Sequence, residues 1–178
     1  MKPLTNKAVN VILFQTAWFA AVLGAAKGAP WLGPLVMIPV LAIHLALLNN
    51  RLGELKLLLA AGVLGFLFDT AFVAGGIFTP LQHLFPRPFS PPWMICLWLN
   101  FAATLNVSMA WLRGRYLLAA AFGAIGGPLA YYSGAKLGAT EALLTTSGML
   151  LLAIGWGAMT PLLVWLARAF SGGKKTSE

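Results

Sequence analysis

Apolar residues fall into six long runs, broken wherever charges or Pro/Gly clusters occur: Ala8 to Gly24, Trp31 to Leu48, Leu55 to Phe78, Trp93 to Leu112, Tyr116 to Leu137, and Ala142 to Ala167. Each run is about 20 residues, the length at which a helix crosses the hydrocarbon of a bilayer. The pattern predicts an all-α integral membrane protein, a six-helix transmembrane bundle forming one domain over 1–170. A short polar cytoplasmic tail over 171–178 follows it. The second and third runs are joined by LNNRLGELK and the fourth and fifth by WLRGRY, which read as tight basic hairpins. The connection TPLQHLFPRPFSPPW contains five prolines, which forbid a regular helix and predict a stiff cap on the outer face, or a lid over a cavity.

Composition sharpens this picture. At 9% charged and 60% hydrophobic, the chain lacks the polar residues to cover a soluble surface. The net charge of +8 comes from Lys and Arg scattered singly or in pairs, so no nucleic-acid partner is expected. Their distribution carries orientation instead. Lys2, Lys7, Arg51, Lys56, Arg113, Arg115, Arg168, Lys174 and Lys175 fall on one side of the spans, whereas Lys27, Arg87 and Lys136 fall on the other. The richer side is cytoplasmic by the positive-inside bias, which puts both termini in the cytoplasm and the protein in a bacterial inner membrane. The basic start, apolar stretch and Gly24-Ala25-Ala26 also fit a cleaved signal peptide, which would leave five spans. The charge asymmetry is explained without cleavage.

Small residues set the expected packing. Gly123 and Gly127, then Gly134 and Gly138, repeat at four-residue spacing, which predicts close helix approaches and a fifth helix at the centre of the bundle. Gly126-Gly127-Pro128 predicts a kink, read either as packing or as the lining of a substrate site.

Polar residues inside spans are the functional candidates, because a central Asp costs ~2.5–3.5 kcal/mol on insertion scales. Asp69 is the only acid well inside a run. At ~1.5 Å per residue it lies ~20 Å from the cytoplasmic boundary. Depth counting places Asn100, Tyr131, Tyr132, Thr145 and Thr146 at a similar height, so an outer-half polar cluster is expected. Asn100, Thr104 and Ser108 form a stripe at four-residue spacing that, with Gln15 and His44 further in, would make a polar track through the bundle. Hydrogen bonding between helices, with no further role, is the alternative for the amides and hydroxyls. His44 is open between a core histidine and a proton-transfer group. The candidate substrate-binding set is Asp69, Asn100, Tyr131, Thr104 and His44.

Absent motifs limit the chemistry. Two histidines, one cysteine (Cys96) and four acids offer no spaced ligand set, so no metal and no other cofactor is expected. Without a phosphate loop, a GxSxG elbow or paired carboxylates, soluble-type ATPase or hydrolase chemistry is not expected.

The segments FQTAWFAAVLGA with PWLGP, GFLFDT, PPWMICLWLNFAATLN and GAIGGPLAYYSGAKLGA together resemble a bacterial family, domain of unknown function 2878, over nearly the whole chain. The resemblance implies a small inner-membrane protein and brings no assigned catalytic residues or substrate. It also implies an association with fatty-acid modification of the cyclopropane type. Three functions follow as expectations. The first is binding or transport of a lipid or other hydrophobic small molecule, with membrane lipids as partners. The second is an intramembrane lipid-modifying enzyme using Asp69 or His44 as general base. The third is a non-catalytic assembly partner of other membrane proteins, or a homo-oligomer.

Overall fold

A computed structural model describes residues 3–141 and 145–172. The polar tail expected over 171–178 lies almost wholly outside these residues, as do Lys2, Lys174, Lys175 and the first three positions expected in the sixth run. Six helices occupy the six apolar runs: α1 (Pro3–Ala26), α2 (Leu32–Ala46), α3 (Arg51–Ala74), α4 (Pro92–Leu105), α5 (Tyr116–Lys136) and α6 (Thr146–Phe170). Three are long and apolar enough to cross a membrane, over Asn6–Ala26, Arg51–Ala74 and Thr146–Phe170. Helices α2 and α4 are apolar but shorter, and glycine, serine and tyrosine dilute α5. Large apolar side chains such as Ile12, Ile38, Leu59, Leu117 and Ile154 point outward, a surface suited to lipid rather than water. The protein is therefore membrane-associated.

Local chemistry moves several boundaries. Helix α3 starts four residues before the expected Leu55 because the Asn50 side chain caps it, accepting from Gly53 N at 3.0 Å. It stops before Gly75-Gly76. Helix α6 begins one residue after Thr145, whose hydroxyl accepts from Gly148 N at 3.1 Å. The largest correction is in the fourth run, where α4 ends at Leu105 and a separate 3-10 turn covers Ala110–Leu112. The Thr104 hydroxyl bonds back to Phe101 O, the Asn106 and Ser108 side chains turn to Glu54 and Asn10, and Met109 N closes a wide turn on Thr104 O at 2.9 Å. Ser108 consequently lies beyond α4, and the expected stripe loses its third member.

Consecutive helices run in opposite directions, as contacts at the two ends show. At one end Asn50 Nδ2 donates to Phe170 O at 3.2 Å and Arg51 Nε to Leu45 O at 3.1 Å. At the other, β1 (Thr79–Pro80) pairs antiparallel with β2 (Thr140–Glu141), Thr79 opposite Glu141 and Pro80 opposite Thr140. The proline-rich connection is thus anchored. Leu81 N donates to Ala139 O at 2.9 Å, Trp93 Nε1 to Leu81 O at 3.3 Å and Ser90 N to Thr70 Oγ1 at 3.1 Å. Arg87 Nε donates to His83 Nε2 at 3.1 Å, and partial burial, followed by the Arg87 charge, holds the His83 pKa below its ordinary 6.5.

Helix α4 is the centre of the bundle, packed on α1, α2, α3 and α6. The fifth helix, expected at the centre, lies instead at the side and packs chiefly on α6, with Leu117, Ile125, Leu129 and Tyr132 facing outward. Its glycines explain that one-sided contact. A Cβ at Gly123 would collide with Trp156 O and the Thr160 hydroxyl, and one at Gly127 would overlap the Trp156 ring. A Cβ at Gly134 would meet nothing, although the residue is buried. Gly138 is not on the helix at all. It follows the C-cap Leu137 with φ +87°, the left-handed conformation that ends α5 while Ala139 N bonds back to Gly134 O. Backbone geometry remains helical through Pro128.

These two glycine environments predict opposite responses. Gly127→Ala should lower unfolding stability in detergent by about 1–3 kcal/mol through overpacking, whereas Gly134→Ala should change it by less than about 0.5 kcal/mol. Thermal unfolding followed by tryptophan fluorescence measures both.

Candidate functional site

The site begins with a steric vacancy on α3. Gly65 has no side chain, so the Trp98 indole of α4 lies directly against the helix, in the space a Cβ would occupy. One turn further along α3, Asp69 meets that indole, and Trp98 Nε1 donates to Asp69 Oδ2 at 2.8 Å. The Tyr131 hydroxyl of α5 donates to the other oxygen, Oδ1. Asp69 is fully buried and its two oxygens join three helices. Behind it, Trp98 stacks on Trp156 of α6 with centroids 4.4 Å apart and planes 8° apart, and Phe68 meets both rings edge-on.

Beside this cluster lies a cavity of about 420 Å³. Phe14, Trp18 and Val22 of α1 form one wall, and Phe122, Gly126 and Ala130 of α5 form another. Trp93, Leu97 and Phe101 of α4 form the back, Trp156 and Gly127 border it, and Asp69 and Tyr131 stand at its polar side. Helix α1 packs on α2 and α4 while α5 packs chiefly on α6, so the cavity opens sideways between α1 and α5. Gly134 faces this space, which is why an added Cβ there meets nothing.

The chain belongs to the family described as "Protein of unknown function (DUF2878)". The family model matches residues 7–162, nearly all of the helical region. No curated protein and no solved structure matches the chain. Membership in this family leaves the site to be read from its own geometry.

Of the expected substrate-binding residues, Asp69 and Tyr131 are brought together and line the cavity. The other three are placed elsewhere. Asn100 is buried, but its Nδ2 donates to Phe14 O at 2.8 Å, which clamps α4 to α1. Thr104 Oγ1 donates within its own helix to Phe101 O at 2.6 Å. His44 belongs to a second cluster, where its Nε2 lies 2.8 Å from Glu54 Oε1. Glu54 Oε2 accepts from Asn106 Nδ2 at 2.7 Å, and Asn106 Oδ1 accepts from Arg113 at 2.7 Å.

Glu54 and Asp69 are 15 residues apart on one helix, about 22 Å along its axis. Buried apolar residues, Leu57, Leu58, Ala61 and Gly62, separate them. The expected polar track is therefore two disconnected clusters among the described residues, and His44 does not share a site with Asp69. Ser108 also has another partner than expected: its Oγ donates to Asn10 Oδ1 at 2.6 Å, while Asn10 Nδ2 donates to Ala103 O at 3.0 Å. Tyr132, Thr145 and Thr146 are exposed and outside both clusters.

Trp98, Trp156 and Glu54 are absent from the residues that the sequence alone singles out. A buried indole needs an acceptor, and the single acid inside a run, four residues after a glycine, is the signal that points to Trp98. Nothing among the described residues groups three His, Cys, Asp or Glu side chains as a metal site would.

Removing the acceptor should be costly. Asp69→Ala leaves the Trp98 and Tyr131 donors unpaired and should destabilise by about 1–3 kcal/mol. Tyr131→Phe loses one hydrogen bond and should cost ~0.6 kcal/mol, near the average for polar contacts between membrane helices. Chemical unfolding in mixed micelles distinguishes the two variants.

Proposed function

We propose that this protein crosses a bacterial inner membrane six times, with both termini cytoplasmic, and binds a lipid or other apolar small molecule in the cavity between α1 and α5. The observation that carries the reading is the cavity itself. Its volume of about 420 Å³ lies in the range of small-molecule sites, and its wall is aromatic and aliphatic with a few polar side chains, Gln15, Asp69, Tyr131, Ser133 and Thr140, among them. The sideways opening faces the direction from which a molecule dissolved in lipid would arrive. Orientation follows from charge. Lys7, Arg51, Arg113, Arg115 and Arg168 gather at the end where α2 meets α3, and Lys27, Arg87 and Lys136 at the capped end. On this reading Asp69 and Tyr131 orient the polar end of the ligand while the indoles and phenyl rings hold its apolar body.

A Cβ added at Gly134 meets no neighbour and Gly134 lines the cavity, so Gly134→Phe should place its ring in that space in a folded protein. Mass spectrometry of organic extracts from the purified protein should find an apolar molecule enriched on the wild type and lost from Gly134→Phe. Equal extracts from the two would reject the binding function.

A further inference from the structure

The charges around the cavity restrict what its polar side accepts. Asp69 carries the single carboxyl group of the lining, and no Lys, Arg or His is among the other residues. Its two partners are neutral donors, the Trp98 indole and the Tyr131 hydroxyl. The salt bridge found among the described residues, His44 with Glu54, belongs to the distant cluster. On α5 itself, Lys136 is turned away and sits over the Tyr132 ring at 5.4 Å, on the exposed face.

Three kinds of polar end respond differently to such a lining. A phosphate or carboxylate would meet an acid and no base, so it would lose hydration without compensation. A hydroxyl would gain a hydrogen bond and nothing more. A cation would gain the countercharge relation to Asp69 that no residue of the lining supplies, in surroundings where charge interactions are weakly screened. Aromatic rings also border the space, Trp18, Trp93 and Phe101 among them, while the faces of Trp98 and Trp156 are taken by their mutual stack and by Gly65 and Gly127. Asp69 has no accessible surface of its own, so the cation would seat on the cavity side of the Tyr131 and Trp98 groups that cover the carboxyl and act on it across them, leaving the existing bonds in place.

We propose that the ligand is a cationic amphiphile, an apolar chain bearing an amine or quaternary ammonium group that seats beside Asp69 among the indoles. This inference rests on the apolar-ligand reading above and adds the chemical class of the polar end.

Three probes with one chain length separate the two ideas: dodecyltrimethylammonium, dodecanol and dodecanoate, titrated into the full-length protein in neutral maltoside micelles. Tryptophan emission reports binding, and the Gly134→Phe variant gives the background. The cation should bind at least about tenfold more tightly than the alcohol, and dodecanoate most weakly. Asp69→Asn should bring the cation close to the alcohol and leave the alcohol unchanged.

If the alcohol matches or exceeds the cation, the cationic class is wrong while the apolar site stands, because binding remains sensitive to Gly134→Phe. A preference for the cation that survives Asp69→Asn overturns the assignment to Asp69. Failure of all three probes to bind in a Gly134-sensitive way removes both readings. Should Asp69→Asn not fold, the wild-type ranking of the three probes decides alone.

Discussion

One carboxyl group holds the middle of this molecule. Asp69 takes a hydrogen bond from Trp98 on one oxygen and from Tyr131 on the other, and through them α3 is tied to α4 and α5. A group this expensive to bury in apolar surroundings persists where its lone pairs are used. The glycines follow from it. Gly65 must be bare for the indole to reach Asp69, and Gly127 must be bare for Trp156 to lie against α5 while stacked on Trp98. The cavity then occupies the remaining space, where α5 rests on α6 and leaves α1 uncovered.

The second polar cluster fastens the opposite end by similar means. His44, Glu54, Asn106 and Arg113 come from α2, α3, the turn after α4 and the start of the next hairpin, and each is linked to the next at 2.7 or 2.8 Å. With the β1–β2 pair closing the other end, the bundle is pinned at both extremities. Between them, helix contact rests on glycine seats and aromatic faces, as expected where lipid gives helices no hydrophobic reason to associate.

The height of each residue was legible in the sequence, but the direction in which it faces was less so. Apolar runs located six helices, and the lone acid within a run located the buried junction. Depth counting brought Asp69 and Tyr131 to one level. The same counting placed Asn100 there too, yet Asn100 faces α1. At 3.6 residues per turn, positions two apart on α4 are separated by about 200°, so Trp98 rather than Asn100 faces Asp69. Glu54 was hidden for a different reason. It sits in a segment rich in basic and amide residues that reads as a loop, and only the Asn50 cap draws it into α3, where His44 can reach it. The early end of α4 was hinted at by Thr104, Asn106 and Ser108, but the partners that draw the last two away from the helix, Glu54 and Asn10, are far off in sequence.

On the proposed ligand-binding reading, the sideways opening changes what selectivity means for this cavity. A pocket facing water gains free energy by drying an apolar ligand, whereas one facing hydrocarbon is already filled by acyl chains that are as apolar as its walls. Entry of a ligand is then an exchange of one chain for another, and the attraction of the walls for the newcomer nearly equals their attraction for the chain expelled. Discrimination collects at the few atoms where the incoming molecule differs from a lipid tail. On that reading those atoms would meet Tyr131 and the indoles, with Asp69 behind them.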